Sequence, residues 1–360
     1  MSQAQLYQWA AQIRSHMRHL TKPQALVLAA FSLGIALSRR CTLSLVAETL
    51  GALGKADTVE RRLQRWIANA RIDVPVSLGF WARWVLGSLI EGPVFLLVDE
   101  TKLGPWLGVM VVGVAYRRRC IPLAWRCYRP DAYPPEGQVQ LIAALLHRVQ
   151  PALPAGCQPV VEADRGIGTS PALVRMVMTL GWYYLFRVQG TTRMRTADGP
   201  EMALRDKVRR GKHWSGVGQV FKDAGWLETH IHLIWKRRYD QPWCLITNAP
   251  HLTGRAYAYR AWQEQSFRDL KRGGWHWNRS QVRLPDHADR LVLILAVAYA
   301  WVLTLGTIVI RTRALRRHLT RGRRRTYSVF RLGLRYLSHL TYARLPVCFG
   351  LLFIPYQPFG

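Results

Sequence analysis

The sequence predicts an α/β core preceded by a helical segment, and three observations carry that prediction. Apolar runs of strand length begin at residue 93 and alternate with helical patterns; two of these runs end in acids; and residues 1 to about 90 show only helical periodicity. The 360 residues and 49% hydrophobic content suffice for a sizeable core, and the length allows one large domain or two to three ordinary ones.

Within residues 1–90, "QALVLAAFSLGIALS" (24–38) is too far from the start for a signal peptide and is followed by "RRC" where a small-residue cleavage site would stand, so it reads as a buried helix. "TLSLVAETL" and "TVERRLQRWIANA" form two short helical patterns across a glycine-bearing turn. Asp57 with Glu60 is the expected N-terminal cap of the second, and Arg61, Arg62 and Arg65 lie along it. The arrangement is of the helix-turn-helix kind and equally that of an ordinary helical hairpin; the three arginines are the DNA contacts it offers.

From residue 93 the order is strand ("PVFLLVDET"), a strand pair ("LGVMVVGVAYRR", "CIPLAWRCY"), helix ("GQVQLIAALLHRV"), strand ("CQPVVEADRG"), helix ("SPALVRMVMTLG") and strand ("WYYLFRV"). Three strands, helix, strand, helix, strand is the order of the ribonuclease H-like fold. Residues 190–242 then alternate like antiparallel strands and read as a mostly β insertion, before "PWCLITN" returns an apolar strand. "LVLILAVAYAWVLTLGTIVI" (291–310) has the length of a membrane span, but basic residues on both flanks leave the positive-inside rule no side to choose, and a helix buried in a large core is the preferred reading, with no membrane expected as partner. The expected division is a helical DNA-binding domain (1–90), a catalytic core (91–189 and 243–310), the insertion (190–242) and a basic C-terminal region (311–360). No Asp or Glu occurs after residue 290, and "RTRALRRHLTRGRRR" is an arginine cluster suited to phosphate.

The formal charge of +30 points to a polyanionic partner, nucleic acid before anionic membrane. The six cysteines show no CxxC pair and no metal-ligand spacing with histidine, which reads as reduced core thiols of an intracellular protein and argues against a zinc site.

Three acids draw attention. Alternation puts Phe95, Leu97 and Asp99 on one strand face, with Asp99 closing its run; Asp164 closes "PVVEAD" in the same way, where α/β proteins place ligands, although either acid can simply cap the turn that follows. In "YAYRAWQEQSFRDLK" (257–271), Tyr257, Arg260, Glu264 and Lys271 fall within about a 60° arc of a helix, with Arg268 on the same stripe. A plain alternative for Glu264 is an intrahelical pair with Arg260 or Arg268. Two strand-end acids plus one helix acid form a set that suits two Mg2+ ions, hard cations that bridge carboxylates to phosphate oxygens. Glu100 and Glu162 stand close enough in sequence to be further ligands.

Tyr, two residues, Arg, three residues, Glu, six residues, Lys resembles the signature of the bacterial insertion-sequence DDE transposases of the insertion-sequence-four group, also called the YREK-signature group. Tyr257, Arg260, Glu264 and Lys271 match its four positions, Asp99 in "LVDET" and Asp164 in "EADRGIG" resemble its two aspartates, and the likeness covers roughly residues 93–290. The resemblance implies a DNA transposase with Asp99, Asp164 and Glu264 as catalytic, metal-binding residues, two Mg2+ ions for which Mn2+ can substitute, and cut-and-paste transposition through a DNA hairpin. It also implies transposon ends and target DNA as partners, a homodimer in the synaptic complex, a cytoplasmic, nucleoid-associated location, and a tryptophan of the β insertion that holds a flipped base. Trp235 and Trp243 are the candidates for that role, with packing the alternative, and Trp275 and Trp277 are further aromatics near the signature. A metal-dependent nuclease of the same fold, or a non-catalytic DNA-binding protein, stands as the alternative.

Overall fold

The computed structural model describes residues 3–89, 93–320 and 327–354. Five helices open the chain: α1 (Gln3–His16), α2 (Lys22–Ser38), α3 (Leu43–Thr49), α4 (Ala56–Ala68) and α5 (Val74–Gly87). Their ends follow local chemistry. "TKPQ" starts α2 through a capping box, Thr21 accepting from the Gln24 N–H while the Gln24 side chain accepts from Thr21 N–H, with Pro23 in the first turn. Asp73 caps α5. The cap expected from Asp57 and Glu60 is not made. Helix α4 begins after an extended Lys55, so Asp57 already lies inside the first turn, and Glu60 instead accepts from Gln64.

Ten strands form one sheet: β1 (Phe95–Leu103), β2 (Leu107–Tyr116), β3 (Arg119–Tyr128), β4 (Val160–Ala163), β5 (Tyr183–Val188), β6 (Arg193–Arg195), β7 (Met202–Ala203), β8 (His213–Val220), β9 (Leu227–Ile234) and β10 (Trp243–Thr247). Their order is β3-β2-β1-β4-β5-β10-β9-β8-β6-β7, with β1, β4 and β5 mutually parallel and every other pairing antiparallel. The strands that fall within 190–242 therefore continue the sheet from β10 outward. Between and after the strands come α6 (Gly137–Val149), α7 (Arg165–Gly168), α8 (Pro171–Thr179), α9 (Arg260–Leu270), α10 (Pro285–Arg311), α11 (Arg313–Leu319) and α12 (Val329–Tyr342). The fold is thus mixed α/β, with a mostly antiparallel sheet.

Alternation along β1 splits the sheet into two faces. Leu96 and Val98 join the large core shared with the N-terminal helices, α6 and α10, whereas Phe95 and Leu97 join a smaller cluster with Tyr257 and Tyr259, just ahead of α9. Helix α10 is apolar and long enough to cross a bilayer, yet Leu291 through Leu305 are all buried within the fold, so it is the central core helix. It meets α12 at a close crossing where Gly306 faces the Val329 carbonyl and Gly333 faces the Val302 carbonyl. Of the C-terminal arginine cluster, Arg311, Arg313, Arg316 and Arg317 lie on α10 and α11; the arginines at 321–325 are outside the described residues.

Candidate active site

Asp99 does not end its strand, as the apolar run suggested: "DETKL" continues β1 in register with β2 from Asp99↔Val111 to Leu103↔Leu107. What ends is the neighbour. Strand β4 pairs in parallel with β1 only as far as Val98↔Ala163, so Asp99 and Asp164 are the first residues beyond the last pair and stand side by side where β4 stops. Strand β1 has an antiparallel neighbour on one side and a parallel one on the other, and the step between β1 and β4 is the kind of crevice in which open sheets place ligands.

Both aspartates are oriented the same way. Asp99 Oδ1 accepts from the Glu100 N–H at 2.9 Å, and Asp164 Oδ1 accepts from Gly166 N–H at 2.9 Å and Ile167 N–H at 3.2 Å, capping α7. In each case Oδ2 is left for Arg260, whose Nη2 lies 3.0 Å from Asp99 and 3.4 Å from Asp164, while Nη1 donates to Glu264 one turn along α9. The turn-capping and intrahelical-pair readings are therefore realised together with the convergence, because one guanidinium gathers all three carboxylates. Asp164 caps and converges at once.

The electrostatics follow from depth. Asp99 is 8% exposed, and burial pushes its carboxyl up to about 6 against the pull of Arg260, with Asp164 and Glu264 adding repulsion. Burial opposes the charge on Arg260, but Asp99, Glu264, Tyr257 and Asp164 together raise its pKa above the ordinary value. Glu264 itself is 60% exposed at its side chain and sits at the mouth. Lys271 donates to the Thr101 hydroxyl and to the Lys102 carbonyl at 2.7 Å; burial lowers its ammonium to about 8, with Asp99 acting in the other direction.

The single helical stripe expected for the signature is broken at both ends. Residues 256–259 form a 3-10 turn, α9 proper starts at Arg260, and Lys271 is its C-cap with a non-helical backbone. Tyr257 is consequently buried and edge-on to Trp243, while Arg268 is exposed. Glu100 points to the opposite face, where its charge adds to burial in raising the Tyr128 and Tyr133 hydroxyls, so it is not part of the acid cluster. Glu162 lies under Asp164 on the same strand face, fully buried, and burial raises its pKa well above the carboxylate range; the Arg260 backbone and guanidinium are the groups that favour its charge.

Other predicted contacts are dispersed. Arg61, Arg62 and Arg65 form the exposed side of α4, with Val59, Leu63 and Trp66 buried opposite. Trp235 lines a cleft of about 550 Å³ with Arg165, Arg187, Arg205 and Gln241, immediately beyond Asp164, and its indole donates to the Tyr239 carbonyl. Trp243 stacks on Tyr239 beneath Arg187. Trp275 and Trp277 are buried and cannot stack on DNA; the loop after α9 turns Trp275 inward against Tyr299 of α10 and Phe330 of α12.

Residues 136–301 match the family model of the transposase DDE domain. The match supports a transposase acting on DNA, and it includes Asp164 and Glu264, with Asp99 on the strand N-terminal to it. No curated protein matches the chain. Asp99, Asp164 and Glu264 are hard oxygen donors of the type a divalent ion takes, but among the described residues no three acidic, histidine or cysteine side chains are closed around one point; Arg260 stands between these acids. Donor chemistry fits a metal, provided Arg260 gives way.

What sequence reasoning missed is the support of α9. On the side away from Glu264, Asp269 pairs with Arg119 of β3, Tyr299 of α10 donates to Asp269 and Ser266 at 3.1 Å, and the Ser266 hydroxyl accepts from Cys120 N–H at 2.7 Å. These partners lie 30 to 150 residues away in sequence, so no local motif announces them.

Proposed function

We propose that the protein is a DDE transposase of the insertion-sequence-four, YREK-signature group, which cuts insertion-sequence ends and joins them to target DNA. The observation that carries this reading is the convergence of Asp99, Asp164 and Glu264, from three separate elements, on one cationic position. The strand order β3-β2-β1-β4-β5, with β2 antiparallel and β4 and β5 parallel to β1, supports a ribonuclease H-like core, extended by the β insertion and preceded by a helical DNA-binding domain at 1–90.

In this mechanism Asp99, Asp164 and Glu264 would hold two Mg2+ ions, or Mn2+ in their place, which when bound activate the attacking oxygen and stabilise the leaving one. The chain's own residues prepare for that. Backbone amides fix the Oδ1 atoms of both aspartates and leave Oδ2 facing the crevice. Arg260 neutralises the acids until phosphate is present, then turns its fork to phosphate oxygens. Lys271 is held toward the crevice by Thr101 and Lys102. Tyr257, Arg268, Arg61, Arg62, Arg65 and Trp235 complete the DNA contacts, Tyr257 by buttressing Trp243 from within the core. Water cleaves one strand at the end, the freed 3′-hydroxyl attacks the opposite strand to form a hairpin, and the reopened end is joined to target DNA in a cut-and-paste cycle. Two ends must be held at once, so a homodimer on DNA is part of the proposal, as is action in the bacterial cytoplasm at the nucleoid.

The test is a Mg2+-dependent cleavage and strand-transfer assay on the DNA ends flanking the gene, comparing wild type with Asp99→Ala, Asp164→Ala and Glu264→Ala. Wild type cuts and joins, and each variant binds the ends but does neither. Cutting without joining would make the protein a nuclease of the same fold. Binding with neither activity in wild type would leave a DNA-binding protein, and full activity in Glu264→Ala would refute the three-acid site.

A further inference from the structure

A cleft of about 500 Å³ lies between the C-terminus of α2, the loop after α9 and the N-terminal half of α12, and four arginines line it: Arg39, Arg40, Arg331 and Arg335. No carboxylate is among its lining residues. Asp269, which feels the charge of Arg331, is committed to Arg119. We propose that this cleft is a second DNA-phosphate site, outside the three-acid crevice, that grips the backbone of the duplex flanking the cut end.

Three features show that the cleft is built rather than incidental. Arg39 is the C-cap of α2 with φ 55°, a left-handed conformation that glycine or asparagine adopts without strain and that costs an arginine about 1 kcal/mol or more. Its guanidinium is then fixed by donation to the Ser338 hydroxyl at 2.9 Å. Arg335 is pinned by donation to the Leu319 carbonyl and lies over the Tyr327 ring at 4.7 Å. Both arginines are held by neutral partners that leave their charge uncancelled. Arg40 and Arg331 donate no side-chain hydrogen bond among the described residues, so they are free to meet an anion.

Geometry ties the cleft to the acids. Its wall includes Gly273 and Gly274, which follow Lys271 after one residue, Arg272. Gly274 is clamped so closely that a Cβ would sit 2.0 Å from the Asp269 carbonyl oxygen and 3.0 Å from Phe330. The Trp275 N–H donates to that same carbonyl, and the Cys41 N–H donates to the Trp275 carbonyl, so the residue after Arg40 is fixed to the end of α9. The glycine wall packs back beside Arg268 and Asp269, four and five residues beyond Glu264, a rise of about 6–8 Å along α9, or about two base-pair steps of duplex. Exposed Arg272 links Lys271 to the cleft wall along the chain, and exposed Arg313 and Arg317 lie on α11, whose last residue, Leu319, holds Arg335 through its carbonyl, so the arginines form a track. A track of that length fits a polyanion better than a single phosphate.

The proposal rests on the transposase reading for which DNA is bound, and its test separates the two. DNA affinity of the full chain for a duplex carrying the end sequence is measured against salt, with Glu264→Ala as background so that no cleavage occurs. Arg40→Ala/Arg331→Ala lowers affinity on the order of 10- to 100-fold at 0.1 M salt and makes the slope of log K against log salt shallower by about two, whereas Arg40→Lys/Arg331→Lys keeps the slope. An unchanged slope with an unchanged thermal midpoint overturns the site. Inorganic phosphate that stabilises the protein at millimolar concentration, combined with an unchanged DNA slope, assigns the cleft to a small anion and also overturns it. A changed slope on this background, together with a wild-type chain that neither cuts nor joins, leaves the cleft standing and removes the transposase reading.

Discussion

Replacing Arg260 by methionine keeps most of the side-chain stem and deletes the charge that three carboxylates share. Its consequence depends on Asp99, because Asp164 and Glu264 are open enough to water for their repulsion to be screened, while Asp99 is 8% exposed. Removing one partner of a buried pair costs about 3–5 kcal/mol when the other is left charged, and discounting for the partial exposure of the cluster leaves about 3 kcal/mol at pH 8. The loss must depend on pH in a particular direction. The Asp99 carboxyl stands at about 6 in the fold against 3.8 in the unfolded chain, so the folded state holds a proton that the unfolded state sheds, and this contribution to stability falls as pH rises through 4 to 6. Without Arg260 the folded value climbs further, and the variant keeps losing stability up to pH 8 where wild type has levelled off. At pH 5 Asp99 is largely protonated in both proteins and the difference shrinks to about 1 kcal/mol. Urea unfolding at pH 5 and pH 8 measures both numbers. Millimolar Mn2+ at pH 8 should then raise the midpoint of Arg260→Met more than that of wild type, since the guanidinium no longer competes for the same oxygens. Equal losses at the two pH values, or a Mn2+ effect confined to wild type, would refute the shared-cation account.

Asp289 of α10, which accepts from the Cys127 N–H at 2.8 Å, is pushed by burial to about 7, so its contribution also falls as pH rises from about 4 to 7; Asp289→Asn should be more stable than wild type on the order of 2 kcal/mol at pH 8 and no more stable at pH 4.5 in chemical denaturation. Gly306→Ala and Gly333→Ala each place a Cβ 1.9 Å from a carbonyl oxygen across the α10–α12 crossing, and each should lower stability by about 2–3 kcal/mol, read as a drop in thermal midpoint, with Gly87→Ala, where nothing lies within 4 Å, as the silent control. Asp269→Asn breaks the buried pair with Arg119 behind α9; it should reduce stability by about 3 kcal/mol and lower strand-transfer turnover while DNA affinity and its salt slope stay at wild-type values.

The parts legible in the sequence were those carried by local pattern. Alternation in "FLLVD" put Asp99 on the face of Phe95 and Leu97, as β1 does, and the long charge-free run at 291–310 read as a core helix in preference to a membrane span, which its burial makes α10. What misled was also local. The apolar run ends at Asp99, but the strand does not, because a strand's end is set by its hydrogen-bonding partner. Here β2 continues and β4 stops, and only the stop of β4 creates the crevice. Likewise a wheel drawn from Tyr257 to Lys271 treats fifteen residues as one helix. The chain spends the first three in a 3-10 turn that buries Tyr257 and leaves Lys271 as a cap bonded to β1.

Arg260 shows why a charge count along one helix could not decide between readings. Pairing with Glu264 at i, i+4 is what any exposed helix would show and contributes only tenths of a kcal/mol. The same guanidinium reaching Asp99 and Asp164 across more than 90 residues of sequence is a tertiary fact. It requires α9 to lie over the step between β1 and β4 at one rotation, and that rotation is held from behind by Asp269, Ser266 and Tyr299. A rotation of α9 by one residue, 100°, would turn Arg260 and Glu264 away from the aspartates together. The buried network and the acid crevice are therefore two faces of one constraint, and a variant that loosens the first should disperse the second before it unfolds the protein.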